Sequence, residues 1–271
     1  MAHYELVADL DASGHKLPAI TGQFTGSLNG NGHTISGITT ANGSIFSSLG
    51  NGAVVSDIKF VGATMENPSS TTGFIANMAT GAKVTDIHVY GLAIDNADAD
   101  CTFGGLVGLA ALNTFIYNSS ISSANINLPK AYGLGGIAGQ LRTGATVSAC
   151  SFSGAINAES EVGGIVGQQD ADGSIFNCHV DADITAMNTI GGIVGNSAGA
   201  VIEKCYVEGS IKANGSTSSY NDNGPCAGGL VGSLNARFST GADGSQTVNS
   251  EKIIKNNFVN LSSLEGYTPT T

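Results

Sequence analysis

The sequence lacks several features that define common classes of protein. It has no Trp, only five Pro, and no apolar run of the roughly eighteen residues that a membrane-spanning helix needs. Charged residues make up 11% of the chain, yet hydrophobic residues make up 41%, which is too many for a disordered chain. Five Cys in 271 residues are too few for a disulfide framework. The sequence therefore predicts a folded protein that depends on a hydrophobic core.

Basic residues are scarce as well. Lys and Arg together number 10, against 21 Asp and Glu, so the formal net charge is −11. A chain this acidic repels phosphate backbones and anionic bilayer surfaces. We therefore expect no nucleic-acid partner and no membrane insertion.

Glycine, by contrast, is abundant, and its spacing reveals a repeat. The 39 Gly show no Gly-X-Y triplet, which excludes collagen. A motif of two Gly, two apolar residues and a third Gly starts at Gly104, Gly135, Gly163, Gly191 and Gly228. Looser copies start at residues 43 and 72, and neighbouring copies are 28 to 37 residues apart. Periods of about 20 to 50 residues are typical of solenoids and other repeat arrays, and we expect the leading Gly residues to turn tight corners.

A second pattern follows each copy of the motif. About ten residues after its first apolar residue, a β-branched residue such as Val147 begins an alternation, in which Cys150 and Phe152 flank a polar position. Alternation with period two is typical of a strand with one buried face. Just before this strand most repeats carry Asn or Asp, which tolerate a left-handed backbone and so predict a bend. These positions are Asp57, Asp86, Asn118, Ala149, Asn177, Lys204 and Asn256.

Together the two patterns predict an all-β fold, a right-handed parallel β-solenoid of about seven to eight coils with a period of about 28–32 residues. A propeller is excluded because each of its blades needs about 40 residues. The handedness rests only on the general preference for right-handed crossovers. We expect residues 1–38 to form an N-terminal cap and first coil, 39–261 the repeats, and 262–271 a linker, all in a single domain.

The Gly-[Leu/Ile]-[Val/Ala]-Gly core resembles the GLUG motif, a repeat of bacterial surface proteins and of secreted peptidases of the IgA-protease type. The segments 4–11 and 24–37 are similar to the lead-in that precedes such repeats, so the resemblance covers about residues 4–261. It implies a β-solenoid that acts as a non-catalytic adhesion, binding or spacer module. An accessory domain of a secreted peptidase is an alternative. The chain contains no His-Glu-x-x-His segment, so peptidase activity is not carried over.

Three cysteines share one position in consecutive repeats. Cys150, Cys178 and Cys205 fall in the column that holds Ile58 and Ile87 in earlier repeats. Buried Cys behaves as a small hydrophobic residue, and this spacing matches no zinc pattern. We therefore predict a ladder of buried thiols.

Acidic residues supply the candidate metal ligands. Asp170 and Asp172 resemble the start of a calcium loop whose remaining ligands are missing. Asp181 and Glu208 share a column in adjacent coils, where stacked carboxylates can share a cation. We predict no cofactor, with calcium as the one alternative.

The same carboxylates raise the question of catalysis. No Lys or Arg lies near them in the column, so we predict that the protein is not an enzyme. The alternative is a carbohydrate-active β-helix enzyme. Tyr90, Tyr117, Tyr132, Tyr206 and Tyr220 form no evident column, so the tyrosines do not predict an aromatic platform for sugars.

The two largest insertions, residues 212–226 and 233–251, are the predicted binding loops. Loops on a rigid scaffold commonly carry recognition, and in solenoids insertions often lie on a binding face. Tyr220, Asp222, Arg237 and Phe238 are the candidate binding residues. The alternative is that these loops only cap the last coil.

The sequence begins without the charged and apolar regions of a secretory signal. Because the resemblance implies an extracellular or cell-surface protein, we expect a fragment of a larger bacterial protein. We expect the fragment to be a monomer. Its expected partners are host or cell-surface glycans or proteins.

Overall fold

The computed structural model describes residues 2–68, 70–170, 172–199, 201–215, 226–234, 238–240, 246–248 and 254–266. All regular structure in these residues is β-strand, which confirms the all-β prediction. A helix that could span a membrane is not found in this part of the chain.

The strands are short and numerous. The first twelve are β1 (His3–Glu5), β2 (Leu10–Asp11), β3 (Lys16–Leu17), β4 (Ile20–Phe24), β5 (Ser27–Asn29), β6 (Thr34–Ser36), β7 (Thr39–Thr40), β8 (Phe46–Leu49), β9 (Val54–Val61), β10 (Thr64–Met65), β11 (Thr71–Gly73) and β12 (Ala76–Thr80). The next twelve are β13 (Lys83–Tyr90), β14 (Ala93–Asp95), β15 (Thr102–Gly104), β16 (Val107–Ala111), β17 (Phe115–Tyr117), β18 (Ser120–Tyr132), β19 (Leu134–Gly135), β20 (Ala138–Leu141), β21 (Thr146–Ser148), β22 (Ser151–Ser160), β23 (Val162–Gly163) and β24 (Val166–Gln169). The last twelve are β25 (Ser174–Phe176), β26 (His179–Ala186), β27 (Ile190–Gly191), β28 (Val194–Ser197), β29 (Val201–Glu203), β30 (Tyr206–Ala213), β31 (Ala227–Gly228), β32 (Val231–Leu234), β33 (Phe238–Thr240), β34 (Gln246–Val248), β35 (Ile254–Lys255) and β36 (Phe258–Glu265).

These strands stack into a parallel β-solenoid. One sheet of eight strands takes one strand from each coil, from β4 to β32, so seven full turns separate its ends. A six-stranded sheet from β11 to β31 and a long sheet of 20 strands form the other walls. Every described pairing in these three sheets is parallel, while β33 and β34 form a separate antiparallel hairpin. Because β36 extends to Glu265, residues 262–265 belong to the last layer rather than to the predicted linker 262–271.

The core consists of inward-facing side chains that stack in columns from coil to coil. The Tyr4 column contains Tyr4, Leu28, Val55, Val84, Ile116, Val147, Ile175, Ile202 and Ile254. The Leu10 column contains Leu10, Ile35, Phe60, Val89, Ile121, Phe152, Val180, Val207 and Val259. The Leu17 column contains Leu17, Thr40, Met65, Ile94, Ile126, Ile156, Ile184, Ile211 and Leu264.

The predicted bend before the long strand is confirmed. Asp57, Asp86, Asn118, Asn177 and Asn256 all have φ between 46° and 57°. Ala149 and Lys204 adopt the same left-handed backbone at φ 53° and 56°, although neither residue type favours it. The shape of the coil therefore imposes this conformation even where the residue does not.

The motif glycines turn corners as predicted, but close packing rather than backbone conformation requires them. None of the glycines in the five full copies has a positive φ. A Cβ at Gly136 would lie 2.2 Å from the carbonyl oxygen of Gly164 and 2.5 Å from the ring of Phe152. The corners of neighbouring coils thus approach so closely that a side chain does not fit between them.

Candidate functional site

The candidate site is the outward face of β26, β30 and β36, which we call the aromatic face. The three strands pair in parallel, and their inward residues join the core columns while the alternate residues face outward. The outward residues are His179, Asp181, Asp183 and Thr185 of β26, Tyr206, Glu208, Ser210 and Lys212 of β30, and Phe258, Asn260, Ser263 and Glu265 of β36.

Three rings stack along one edge of the aromatic face. The ring centroids of His179 and Tyr206 are 5.2 Å apart, and those of Tyr206 and Phe258 are 5.3 Å apart. Both pairs are inclined by only 24°, and Phe258 is 61% exposed. The tyrosines alone do not reveal this stack, because each of the three coils places a different ring at this position.

A polar row lies beside the rings. Asp181, Glu208 and Asn260 pair in register two residues further along their strands. A hydrogen bond with the Glu208 carboxylate raises the pKa of the Tyr206 hydroxyl above its ordinary value. In the next row the Ser210 hydroxyl donates to the Asp183 carboxylate. The face therefore presents carboxylate and amide oxygens directly next to ring surface.

The aromatic face continues into an open groove of about 490 Å³. Hydroxyls of Ser123 and Ser153 and the carboxylates of Asp181 and Asp183 line it together with small residues. The groove lies next to a register shift in the pairing of β18 with β22, between Ile121 and Ala124. The small residues that line the groove are Ala124, Gly154, Ala155 and Ala182.

A lysine also lies on the aromatic face, although the column of Asp181 and Glu208 itself contains no Lys or Arg. Lys212 follows Glu208 and Ser210 on β30, and its ammonium group is 3.1 Å from the Glu265 carboxylate. Carboxylates and a basic residue therefore share one exposed face.

The predicted metal ligands fall at two separate places. Asp170 and Asp172 lie in the turn between β24 and β25, whereas Asp181 and Glu208 are paired on the aromatic face. Within the described part of the chain, no group of three or more His, Cys, Asp or Glu residues is arranged to hold a metal ion. The absence of a cofactor, with calcium as the alternative, stays a prediction.

The predicted binding loops fall largely outside the described residues. Tyr220, Asp222 and Arg237 are not among those residues, and Phe238 is described only as the first residue of β33. The first insertion, residues 212–226, begins at the end of β30 and therefore at the border of the aromatic face.

The thiol ladder lies in the core as predicted. Cys150, Cys178 and Cys205 are each 1% exposed, and burial raises the pKa of the Cys150 thiol to about 12. Burial likewise raises the pKa of Cys178. Because a thiolate is the reactive form, Cys150 and Cys178 are poor nucleophiles and poor metal ligands. The hydrogen bond with the Cys178 thiol instead lowers the pKa of Cys205.

Sequence reasoning missed a buried carboxylate on another side of the solenoid. Glu161 is 9% exposed and has a φ of 54°. It accepts hydrogen bonds from the Tyr132 hydroxyl at 2.8 Å, from the Asn196 amide at 2.8 Å and from the Gln168 amide. These partners come from three different coils, so no local sequence pattern indicates the cluster.

A comparison with known families identifies part of the repeat. The sequence model of the GLUG motif matches residues 158–185 and 188–212, which contain most of β26 and β30. The chain therefore contains GLUG-motif repeats within a parallel β-solenoid. Two strands of the aromatic face are thus parts of GLUG repeats, while the third lies beyond the matched residues.

The chain is also similar to a solved structure. A candidate immunoglobulin A1 protease from Bacteroides ovatus is 20% identical to it, with a TM-score of 0.62. The similarity covers 92% of this chain and 86% of that chain, and at this identity it shows the fold alone. The comparison with curated proteins gave no match.

Proposed function

We propose that this protein is a non-catalytic binding module of a larger bacterial surface protein and that it binds glycans outside the cell. The aromatic face carries this proposal. Sugars present C–H groups and hydroxyls close together, so their sites need apolar surface beside hydrogen-bonding groups. The stack of His179, Tyr206 and Phe258 beside the carboxylates and amide of the polar row supplies this combination.

The charge of the aromatic face favours neutral glycans. Asp181, Asp183 and Glu208 lie along it, and its one lysine is paired with a carboxylate. Like charges repel, so glycans rich in uronate or sialate have an unfavourable electrostatic interaction with this face.

Binding of the full chain to a glycan array tests the proposal. We expect neutral glycans to bind and Tyr206→Ala or Phe258→Ala to weaken binding at least about tenfold, which corresponds to about 1.4 kcal/mol. Tyr117→Ala is the matched control, because Tyr117 is also exposed but lies on β17, outside the aromatic face. Equal losses in all three variants, or no glycan binding at all, would contradict the proposal.

The loop hypothesis is tested separately. Shortening the insertion between Lys212 and Cys226 removes Tyr220 and Asp222 but keeps the three rings. Unchanged glycan binding would exclude this loop as a binding element, whereas loss of binding in the shortened chain alone would place recognition in the loop.

A second candidate function is a carbohydrate-active enzyme. The presence of Asp181, Glu208 and Lys212 on one exposed face favours it. Incubation with acidic and neutral polysaccharides, followed by measurement of new chain ends, discriminates the two functions. Cleavage of a polysaccharide by the wild-type protein, and its loss in Asp181→Asn, would establish an enzyme and overturn the non-catalytic proposal. An accessory role beside a peptidase would predict neither cleavage nor glycan binding by the chain.

A further inference from the structure

The two ends of the solenoid expose the same core columns. The Tyr4 column ends in Tyr4 and Ile254, which are 57% and 38% exposed, although Val84 in its middle is fully buried. The Leu10 column ends in Leu10 and Val259, at 48% and 41% exposure. The Leu17 column ends in Leu17 and Leu264, at 37% and 50% exposure. Each column therefore has a large apolar side chain without full cover at both ends.

The N-terminal end also contains two apolar grooves. One groove, of about 380 Å³, is lined by Tyr4, Leu6, Phe24 and neighbouring residues. The other, of about 340 Å³, is lined by Leu10, Leu17 and Ile35 among others. Within the solenoid, space of this kind is filled by the side chains of the next coil.

The strand edges at the two ends are unpaired in the same way. In the described structure β1, β2 and β3 each pair with one neighbour only, namely β5, β6 and β7. At the other end, among the described strands, β35 and β36 each pair only with the preceding coil. An open strand edge is a template for pairing with another chain.

The charges at the two ends are complementary. Glu5 begins a column that passes through Asn29, Ser56, Thr85, Tyr117, Ser148, Phe176 and Glu203 and ends at Lys255. The Lys255 ammonium group lies 3.7 Å from Glu203 on the coil below. A glutamate placed on the other side of Lys255 would therefore give the order Glu203, Lys255, glutamate, in which negative and positive charges alternate.

We infer that the N-terminal end of one copy of this chain stacks on the C-terminal end of a second copy. In this arrangement Leu10 meets Val259, Leu17 meets Leu264, and Glu5 meets Lys255, so that the core columns and the parallel sheet continue across the junction. Because the two surfaces differ, the contact is heterologous and adds further copies in a row.

Sedimentation of the full chain over a range of concentrations tests this inference. We expect association that strengthens with concentration, and at least a tenfold weaker association in Leu17→Glu and in Leu264→Glu. Met78→Glu is the matched control, since Met78 is 45% exposed but lies on the side of the solenoid in β12. Circular dichroism establishes that each variant is folded.

Mixing the two variants decides the geometry. Leu17→Glu keeps an intact C-terminal end and Leu264→Glu an intact N-terminal end, so an equimolar mixture forms dimers while each variant alone stays monomeric. If either variant unfolds, Glu5→Lys and Lys255→Glu serve in the same way. A wild-type chain that is monomeric at all concentrations overturns the inference, as does a mixture that does not associate. The expectation of a monomer, made from the sequence, is decided by the same experiment.

Discussion

Replacing Gly136 by Ala tests why the GLUG repeat needs its glycines. The added Cβ would lie 2.2 Å from the Gly164 carbonyl oxygen and 2.5 Å from the Phe152 ring, and Gly136 has no positive φ. The substitution therefore introduces a steric overlap without a conformational penalty. Gly62 is the opposite case, because its φ is 67° and a Cβ there has no neighbour within 4 Å.

The expected cost of each substitution follows from these geometries. Relief of the overlap at Gly136 requires two coils to separate by about 1 Å, and such overpacking costs about 1–3 kcal/mol. Replacing Gly by Ala also lowers the entropy of the unfolded chain, which offsets about 0.4–1 kcal/mol. At Gly62 the left-handed penalty of about 1–2 kcal/mol is reduced by the same entropy term. Because the added Cβ overlaps both a backbone oxygen and a ring, the upper part of the overpacking range applies at Gly136. We therefore expect Gly136→Ala to destabilise the protein by about 2 kcal/mol and Gly62→Ala by less than about 1 kcal/mol.

Denaturant unfolding followed by circular dichroism measures the difference. Repeat proteins unfold with reduced cooperativity when an internal contact is weakened, so amide hydrogen exchange at Gly136 and Gly164 is measured as well. We expect faster exchange on both sides of the substituted corner. A destabilisation by Gly136→Ala no larger than that by Gly62→Ala would refute the explanation from close packing.

Three further predictions concern other parts of the molecule. Ala149→Asn should stabilise the protein by about 0.5–1 kcal/mol in urea unfolding, because Asn tolerates the left-handed φ at this position better than Ala. The control is Ala93→Asn on strand β14, which should show no gain in stability. Glu161→Ala should cost about 2–3 kcal/mol in the same assay because three side-chain donors lose their acceptor, and an unchanged midpoint would refute this role. The unfolding free energy should fall above about pH 9, by up to about 1.4 kcal/mol per pH unit for Cys150, because its pKa is about 12 when folded and the unfolded thiol ionises first. Cys150→Ala should remove this share of the pH dependence, and rapid labelling of Cys150, Cys178 and Cys205 in the native protein would show that they are not buried.

Much of the fold follows from the sequence because each coil repeats the same pattern of apolar, polar and bend residues. The alternation around Val147 and Phe152 identifies a strand, and the Asn or Asp before it identifies a bend. The left-handed φ of Ala149 was found by the position of that residue in the repeat, since its side chain gives no such signal. The repeat thus predicts the backbone conformation even at a position where the residue type does not.

The aromatic face was only partly accessible from the sequence. The pairing of Asp181 with Glu208 follows directly from the period. The stack of Tyr206 on His179 and Phe258 occupies a column that is also visible in the sequence, but an insertion separates Phe258 from the preceding repeat. The Glu161 cluster joins residues of three coils and had no sequence signal at all.

The sequence by itself determined the repeat, the parallel stacking and the burial of the thiol ladder, because a column of like residues with a constant period can be buried only by winding the chain into coils. Only the tertiary structure decided why the motif glycines are needed, which side chains meet on the aromatic face, and that the core columns end in exposed residues such as Leu17 and Leu264. These properties depend on distances between coils and on the edges of the stack, and a period along the chain contains neither.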